Sequence, residues 1–228
     1  MKLHTVFITY NRLELTKQAI ESYLETVSVP HALWVADNAS TDGTQDWLRE
    51  NLTKNWMGFT LHGENRYPGR ATNEAWDVAV GHDGALVAMW DAAGPTHFQR
   101  ADNDFIFLPG WCEEVERMFS ENERLGQLGL RTDEQELANP YNVGGNCIIR
   151  RELWDAGLRW EETPWPLMPQ GWSEDSYMSP AVEKMGWQWD RVERPCIQYL
   201  ETEEYIRANE ETYYVQTWKD RNIYPERW

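Results

Sequence analysis

An apolar run, Ala32–Ala36, stops at Asp37, passes through the polar turn Asn38-Ala-Ser-Thr-Asp42-Gly43-Thr44 and enters a helical pattern from Gln45 to Asn51. A short apolar run bounded by turn residues suits a strand buried on both faces of a parallel sheet. In open parallel sheets ligands bind beyond the carboxyl ends of the strands, which is where Asp37 stands. A carboxylate there can accept hydrogen bonds from a base or a sugar. The same residues also suit a plain βα turn in which Ser40 or Thr41 caps the next helix.

The rest of the chain repeats this alternation. Strand patterns cover Leu3–Thr9, Leu33–Ala36, Met57–His62 and Thr96–Ala101, and helical spacing covers Leu13–Leu24, 45–51 and Ala71–Val80, with Gly63–Gly69 read as a loop. Gly81–Pro95 either extends the third helix or forms an insertion. A βαβαβα order of this kind predicts a parallel sheet with helices on both faces. Further on, helices are expected over Cys112–Asn122, Glu152–Ala156 and, despite Pro180, Ser176–Met185. Strands are expected over Leu128–Arg131, Gly145–Arg150 and Trp187–Val192. Glu161–Gly171, with three prolines and Trp165, reads as a loop, and Ile197–Trp228 has no clear period. A chain of 228 residues suits one α/β domain, 1–228, whose composition shifts near residue 110 into halves 1–111 and 112–228.

Charge and cysteine usage narrow the function classes. The net charge of −17 repels phosphate backbones and anionic lipid at long range, and suits capture of a divalent cation. Cys112, Cys147 and Cys196 lack the spacing of a disulfide frame or a zinc site and read as free thiols. The amino-terminal apolar run is too short for a secretory signal, and no window approaches the ~18 apolar residues of a membrane span. A cytoplasmic location is the expectation.

Four segments carry the chemistry: Thr9-Tyr10-Asn11-Arg12, Asp37–Thr44, Asn65-Arg-Tyr-Pro-Gly69-Arg70-Ala-Thr-Asn73, and Arg100-Ala-Asp102-Asn103-Asp104 running on to Pro109-Gly110-Trp111. With Asn142-Val-Gly144-Gly145 and Trp172-Ser-Glu174-Asp175, this ordered set resembles the family 2 glycosyltransferases of the GT-A fold over about residues 3–190. The resemblance implies a mostly parallel central sheet, a nucleotide-diphosphate sugar donor (UDP foremost) and a divalent cation, Mn2+ or Mg2+. Such a cation offsets the charge of the leaving diphosphate and prefers carboxylate oxygens. Asp102 and Asp104 straddle one residue, so both can face one ion. The family pattern makes Asp104 the direct metal ligand and places Asp102 near the metal or the ribose. It assigns Thr9 and Asp37 to the nucleobase with Tyr10 beside it, and brings Arg12, Arg70, Asn73 and Asn103 to the donor side. On the acceptor side it implies Asp175 as the base that takes the acceptor proton in an inverting transfer, with Glu174 contacting the acceptor; the reverse allocation is also open. Gly145 lets backbone approach a ligand and Trp172 offers a stacking face for a sugar.

The chain departs from the pattern in two places. Ala181 or Val182 stands where many members carry an arginine after the Glu-Asp pair. All five histidines lie at or before His97, so a late histidine ligand is missing, and Glu201 or Glu203 is an alternative acid. A nucleotidyltransferase is disfavoured because Thr9–Arg12 is not a glycine-rich, basic loop for a triphosphate. A catalytically silent nucleotide- or sugar-binding module and a retaining transferase stay open. The acceptor is expected to be a glycan or a small molecule, less readily a nucleic-acid base given the acidic surface, and self-association is left open.

Overall fold

In a computed structural model of the chain, residues 1–51, 57–80, 94–131, 139–209, 213, 214, 217 and 219 are described. Seven strands form one sheet: β1 (Leu3–Thr9), β2 (His31–Asp37), β3 (Met57–Leu61), β4 (His97–Asp102), β6 (Leu125–Gly129), β7 (Cys147–Arg150) and β8 (Gln188–Arg191), in the order β3-β2-β1-β4-β7-β6-β8. β3, β2, β1 and β4 are mutually parallel, β7 runs antiparallel to both β4 and β6, and β8 is parallel to β6. The missing strand in this numbering, β5 (Phe105–Phe107), leaves the sheet and pairs antiparallel with β9 (Ile197–Tyr199). The α/β, mostly parallel architecture expected from the sequence is the one found. Residues 81–93, whose length and structure the sequence left open, lie outside the described residues.

The period-2 alternation of β1 explains the two-layer core. Leu3 and Phe7 point to one face, where Ala19, Ile20 and Tyr23 of α1 (Leu13–Thr26), Leu48 of α2 (Thr44–Asn51) and Trp111, Val115 and Phe119 of α4 (Trp111–Glu121) pack. Val6 and Ile8 point to the other. There they meet Ala71, Ala75 and Trp76 of α3 (Tyr67–Val80), Trp154 of α5 (Arg151–Asp155) and Met178 and Val182 of α6 (Asp175–Lys184). All seven β1 residues are buried, as a strand covered on both faces must be. On the second face Trp76 stacks on Phe98 (centroids 5.2 Å apart) and meets Trp154 edge-on (5.1 Å) and Trp160 (6.0 Å). Such aromatic pairs contribute ~0.5–1.5 kcal/mol each beyond area burial.

Sheet register gathers the site. Thr9 pairs with Asp37, and Ile8 with Asp102, so β1, β2 and β4 end at one level although they are far apart in sequence. The two turns that follow β1 and β2 are laced together. The Asn11 amide N–H donates to Ser40 Oγ (2.7 Å), and Asn11 Oδ1 accepts from the Thr41 N–H (2.8 Å). Asp42, not Ser40 or Thr41, serves the helix ends. One of its oxygens accepts from the Leu13 N–H at the start of α1 (2.7 Å), the other from the Thr44 N–H (3.1 Å) and hydroxyl (2.6 Å) at the start of α2. A carboxylate between two helix N-termini satisfies otherwise orphaned donors and complements both dipoles.

α3 begins earlier than its apolar spacing suggests. Tyr67 adopts a left-handed conformation (φ 59°) and Pro68 follows in the first turn, where its missing N–H costs nothing. Gly69, read from sequence as part of a loop, lies within this helix. A Cβ there would meet the Glu161 carbonyl oxygen at 1.9 Å, so its bareness admits the segment that carries Glu161.

Two histidines are buried as neutral rings. Burial pushes His4 down to about 3. It does the same to His97, where the nearby Arg150 adds to the effect. An unfolded histidine titrates near ~6.5, so between that pH and about 3 the unfolded chain binds more protons and folding loses stability as pH falls. At pH 5 the cost is about 2 kcal/mol per ring. Thermal melts should show a drop between pH 7 and 5 that is much reduced in a His4→Gln, His97→Gln double variant. An undiminished slope would clear the histidines of this role.

Candidate active site

Beyond the carboxyl ends of β1, β2 and β4 lies a cleft of about 780 Å3, within the size range of small-molecule sites. Its lining includes Tyr10, Asn38, Tyr67, Asp102, Asp104, Trp165, Glu174 and Asp175.

The central acids differ in their surroundings. Asp102 Oδ1 receives an Arg100 amino group (3.1 Å) and Oδ2 the Asn146 side-chain amide (3.1 Å), while its N–H donates to Asn146 Oδ1 (2.8 Å). Asp104 Oδ2 is paired with Arg12 (3.0 Å), but its Oδ1 is buried without a hydrogen-bond partner. Burial raises the Asp104 carboxyl to about 6, with Arg12 pulling it down and Asp102 and Glu201 adding to the rise. Arg12 reaches this position because Asn11 and Arg12 are both left-handed (φ 54° and 62°), an uncommon conformation for side chains this large. Its guanidinium also pairs with Glu201, donates to Asn103 Oδ1 (2.5 Å) and is covered by the Tyr213 ring, 4.4 Å from the centroid. β9 carries this cover: the Leu200 N–H donates to the Asp104 carbonyl (2.8 Å), and the Tyr199 hydroxyl donates to Glu201.

Elsewhere in the lining both Glu174 oxygens are engaged. Oε1 is 2.6 Å from an Arg100 amino group and Oε2 accepts from the Trp165 indole N–H (2.7 Å). Asp175 is the first residue of α6 and accepts from the Ser173 hydroxyl (2.5 Å), its charge favoured by the helix N-terminus. Gly145 is bare for a steric reason. A Cβ there would lie 2.8 Å from Arg100 Nη2 and 2.9 Å from Asp102 Oδ2.

These features, a cleft at parallel strand ends lined by two adjacent acids and a Glu-Asp pair, coincide with a family match. The family model "Glycosyl transferase family 2" matches residues 5–146. The chain belongs to glycosyl transferase family 2.

Solved structures carry the same fold as this family 2 chain. PcManGT, a mannosyltransferase from Pyrobaculum calidifontis in complex with GDP-Man and Mn2+, superposes with a TM-score of 0.66 at 16% identity, over 91% of this chain and 59% of that one. Residues 1–349 of S. aureus TarS in complex with UDP-GlcNAc give 0.64 at 15% identity, over 89% and 59%. The chain thus spans about 60% of the length of these relatives. No match was found among curated protein sequences. Among the described residues no helix is long and apolar enough to cross a membrane, and the three cysteines are buried and free.

Several expected site residues of the family 2 chain lie elsewhere. Asp37 is fully buried, and its two oxygens already take four donors: Thr9 Oγ1 (2.9 Å), Ser40 Oγ (2.5 Å), the Ser40 N–H (3.0 Å) and Gln45 Nε2 (2.8 Å). A carboxylate has about four lone-pair sites, so Asp37 has no capacity left for a base, and Thr9, fully buried with its hydroxyl proton given to Asp37, does not line the cleft. Asn38 is the residue of that turn facing the cleft. Arg70 is half exposed and pairs with Glu74 (3.1 Å), outside the cleft wall. Asn73 is buried and grips the Trp160 backbone, donating to its carbonyl (3.0 Å) and accepting from its N–H (3.0 Å). Asn103 lines the cleft, but its amide also donates to Thr16 Oγ1 (2.8 Å) and to the Asn11 carbonyl (3.1 Å), locking the turn. Trp172 packs edge-on against Tyr177 (5.1 Å) outside the lining, whereas Trp165 lies inside it. Tyr10, Arg12, Asp102, Asp104, Gly145, Glu174 and Asp175 do line the cleft. Sequence reasoning missed Asn38, Tyr67, Arg100 and Trp165; Asn38 could have been found from its place directly after Asp37 at the end of β2.

Asp37 therefore acts on stability. Asp37→Ala strands buried donors at an expected cost of about 3 kcal/mol, which lowers Tm by about 6–12 °C for a chain of this size. A calorimetric shift under about 2 °C would contradict the saturation argument.

Proposed function

We propose that this chain transfers a glycosyl unit from a nucleotide-diphosphate sugar, UDP-linked by preference, to an acceptor hydroxyl with inversion. The observation that carries this reading is the presence of Asp102, Asp104 and Asp175 together in the lining of one cleft. Tyr10 and Asn38 receive the nucleobase, the aromatic ring offering a face and the amide both donor and acceptor edges. The relatives with bound nucleotide sugars, UDP-GlcNAc in TarS and GDP-Man in PcManGT, support a donor of this class.

A divalent cation fits the central acids. Asp104 keeps one buried carboxylate oxygen unpartnered, and Asp102 stands beside it. Among the described residues no group of three or more acid, histidine or cysteine side chains could hold a metal, so a bound cation would also need oxygens of the diphosphate and water. Mn2+ or Mg2+ held there by Asp104 and Asp102 would offset the negative charge of the leaving diphosphate.

Proton removal falls to Asp175. Glu174 has both oxygens committed, to Arg100 and to Trp165, and acts as a positioning group. Asp175 accepts the proton of the acceptor hydroxyl as the oxygen attacks the anomeric carbon, and the α6 N-terminus holds the carboxylate before the step. Trp165 and Tyr67, with centroids 5.6 Å apart, supply the aromatic faces on the acceptor side.

The test is a panel of UDP- and GDP-sugars with Mn2+ or Mg2+, with slow donor hydrolysis as the readout. Metal-stimulated release from one donor supports a transferase. Nucleotide binding without release from any donor would instead mark a silent binding module.

A further inference from the structure

Arg100 is a buried cation on β4 for which the proposed chemistry has no role. Its side chain is 3% exposed, yet it lines the cleft. One amino group holds Asp102 (3.1 Å), on the donor side, and the other holds Glu174 (2.6 Å), on the acceptor side. Its guanidinium carbon also lies 4.7 Å from the centre of the Trp160 ring. Trp160 and Glu174 are the two ends of the acceptor-side segment that carries Trp165 and leads into Asp175. One guanidinium therefore pins both ends of that segment and, at the same time, the acid at the end of β4.

The surroundings are shaped for this bridge. Gly145 is bare where a Cβ would press on both Arg100 and Asp102. Asn73 fixes the Trp160 backbone from both sides, and Asn146 fixes Asp102 from both sides. Trp165 closes the far side of Glu174. A buried ion-paired arginine is costly to desolvate and is weak evidence for stability alone, so the arrangement calls for another consequence.

We infer that Arg100 is a positioning residue that couples the two sides of the cleft, so that a nucleotide and its cation engaging Asp102 tighten the segment 160–175. The physical basis is competition for one cation. While Asp102 is free, its negative charge shares the guanidinium with Glu174. When a divalent cation or a ribose hydroxyl engages Asp102, that share weakens and Arg100 binds Glu174 more strongly. The donor thereby binds the ordered arrangement of the acceptor segment better than a loose one, which is the differential affinity that any coupling requires. In functional terms the acceptor platform and Asp175 are set only after the donor is in place.

The inference rests on the donor reading above, and amide hydrogen exchange separates the two. The full chain is compared without ligand and with UDP and Mn2+ at saturation, so that occupancy is equal across wild type, Arg100→Met, Arg100→Lys and Glu174→Gln. In wild type the peptides spanning 160–175 should slow by about fivefold or more. Arg100→Met and Glu174→Gln should lose that slowing while the peptides around Tyr10 and Asn38 keep theirs, and Arg100→Lys should retain part of it. Should Arg100→Met fail to fold, Glu174→Gln and Arg100→Lys carry the comparison. Equal slowing in every protein, or none in wild type at saturation, overturns the coupling. A wild type that binds no UDP overturns the donor reading and the coupling with it.

Discussion

Asp175→Asn is expected to reduce transfer by about a hundredfold or more, with nucleotide binding unchanged, as for loss of a positioned general base. The amide keeps the size and the hydrogen bond from Ser173, so α6 and the cleft should stay intact. What it removes is the capacity to take a proton. Glu174→Gln provides the contrast. Glu174 spends both oxygens inside the protein, so its variant should suffer through loosened geometry, with a raised acceptor KM, more than through lost chemistry. Initial rates at saturating donor and varied acceptor distinguish the two. If Glu174→Gln alone shows the hundredfold fall in kcat, the roles of the pair are reversed.

Asp104→Asn is expected to abolish stimulation by Mn2+ or Mg2+, a loss on the order of a hundredfold to a thousandfold, because metal stabilisation of a departing diphosphate supplies several kcal/mol. The variant also loses the charge that pairs with Arg12, but Glu201 keeps that guanidinium compensated, so folding should survive. The upward-shifted carboxyl of Asp104 adds a pH signature. A protonated acid is a poor ligand, so the Mn2+ concentration for half-stimulation should climb as pH falls below about 6. Equal metal stimulation in wild type and variant would remove Asp104 from this role.

How much of this was legible in sequence depended on how local the determinant was. β2 showed as an apolar run and β1 and β4 as strand patterns, each largely buried in the sheet. α1, α4 and α6 showed through their helical spacing, the last in spite of Pro180. The short ladder of β5 and β9 did not, since three residues cannot display a period and the partner lies about ninety positions later in the chain. Asp102, Asp104, Glu174 and Asp175, which line the cleft, stood out through the resemblance of their motifs to family 2 glycosyltransferases. Asp37 misled because a carboxylate at a strand end accepts as well from its own chain as from a ligand, and only the positions of Thr9, Ser40 and Gln45 decide which. Arg100 and Trp165 were silent because their roles lie in partners distant along the chain, Glu174 above all.

The pairing of β5 with β9 has a consequence for how the molecule comes into being on the ribosome. Phe105–Phe107 emerges first, but its partner, Ile197–Tyr199, and the Glu201 and Tyr213 side chains around Arg12 follow only about ninety residues or more later. Until then the nascent polypeptide carries an open strand edge beside its acidic centre. Completion of the wall around Asp104 thus waits for these distant residues to be translated.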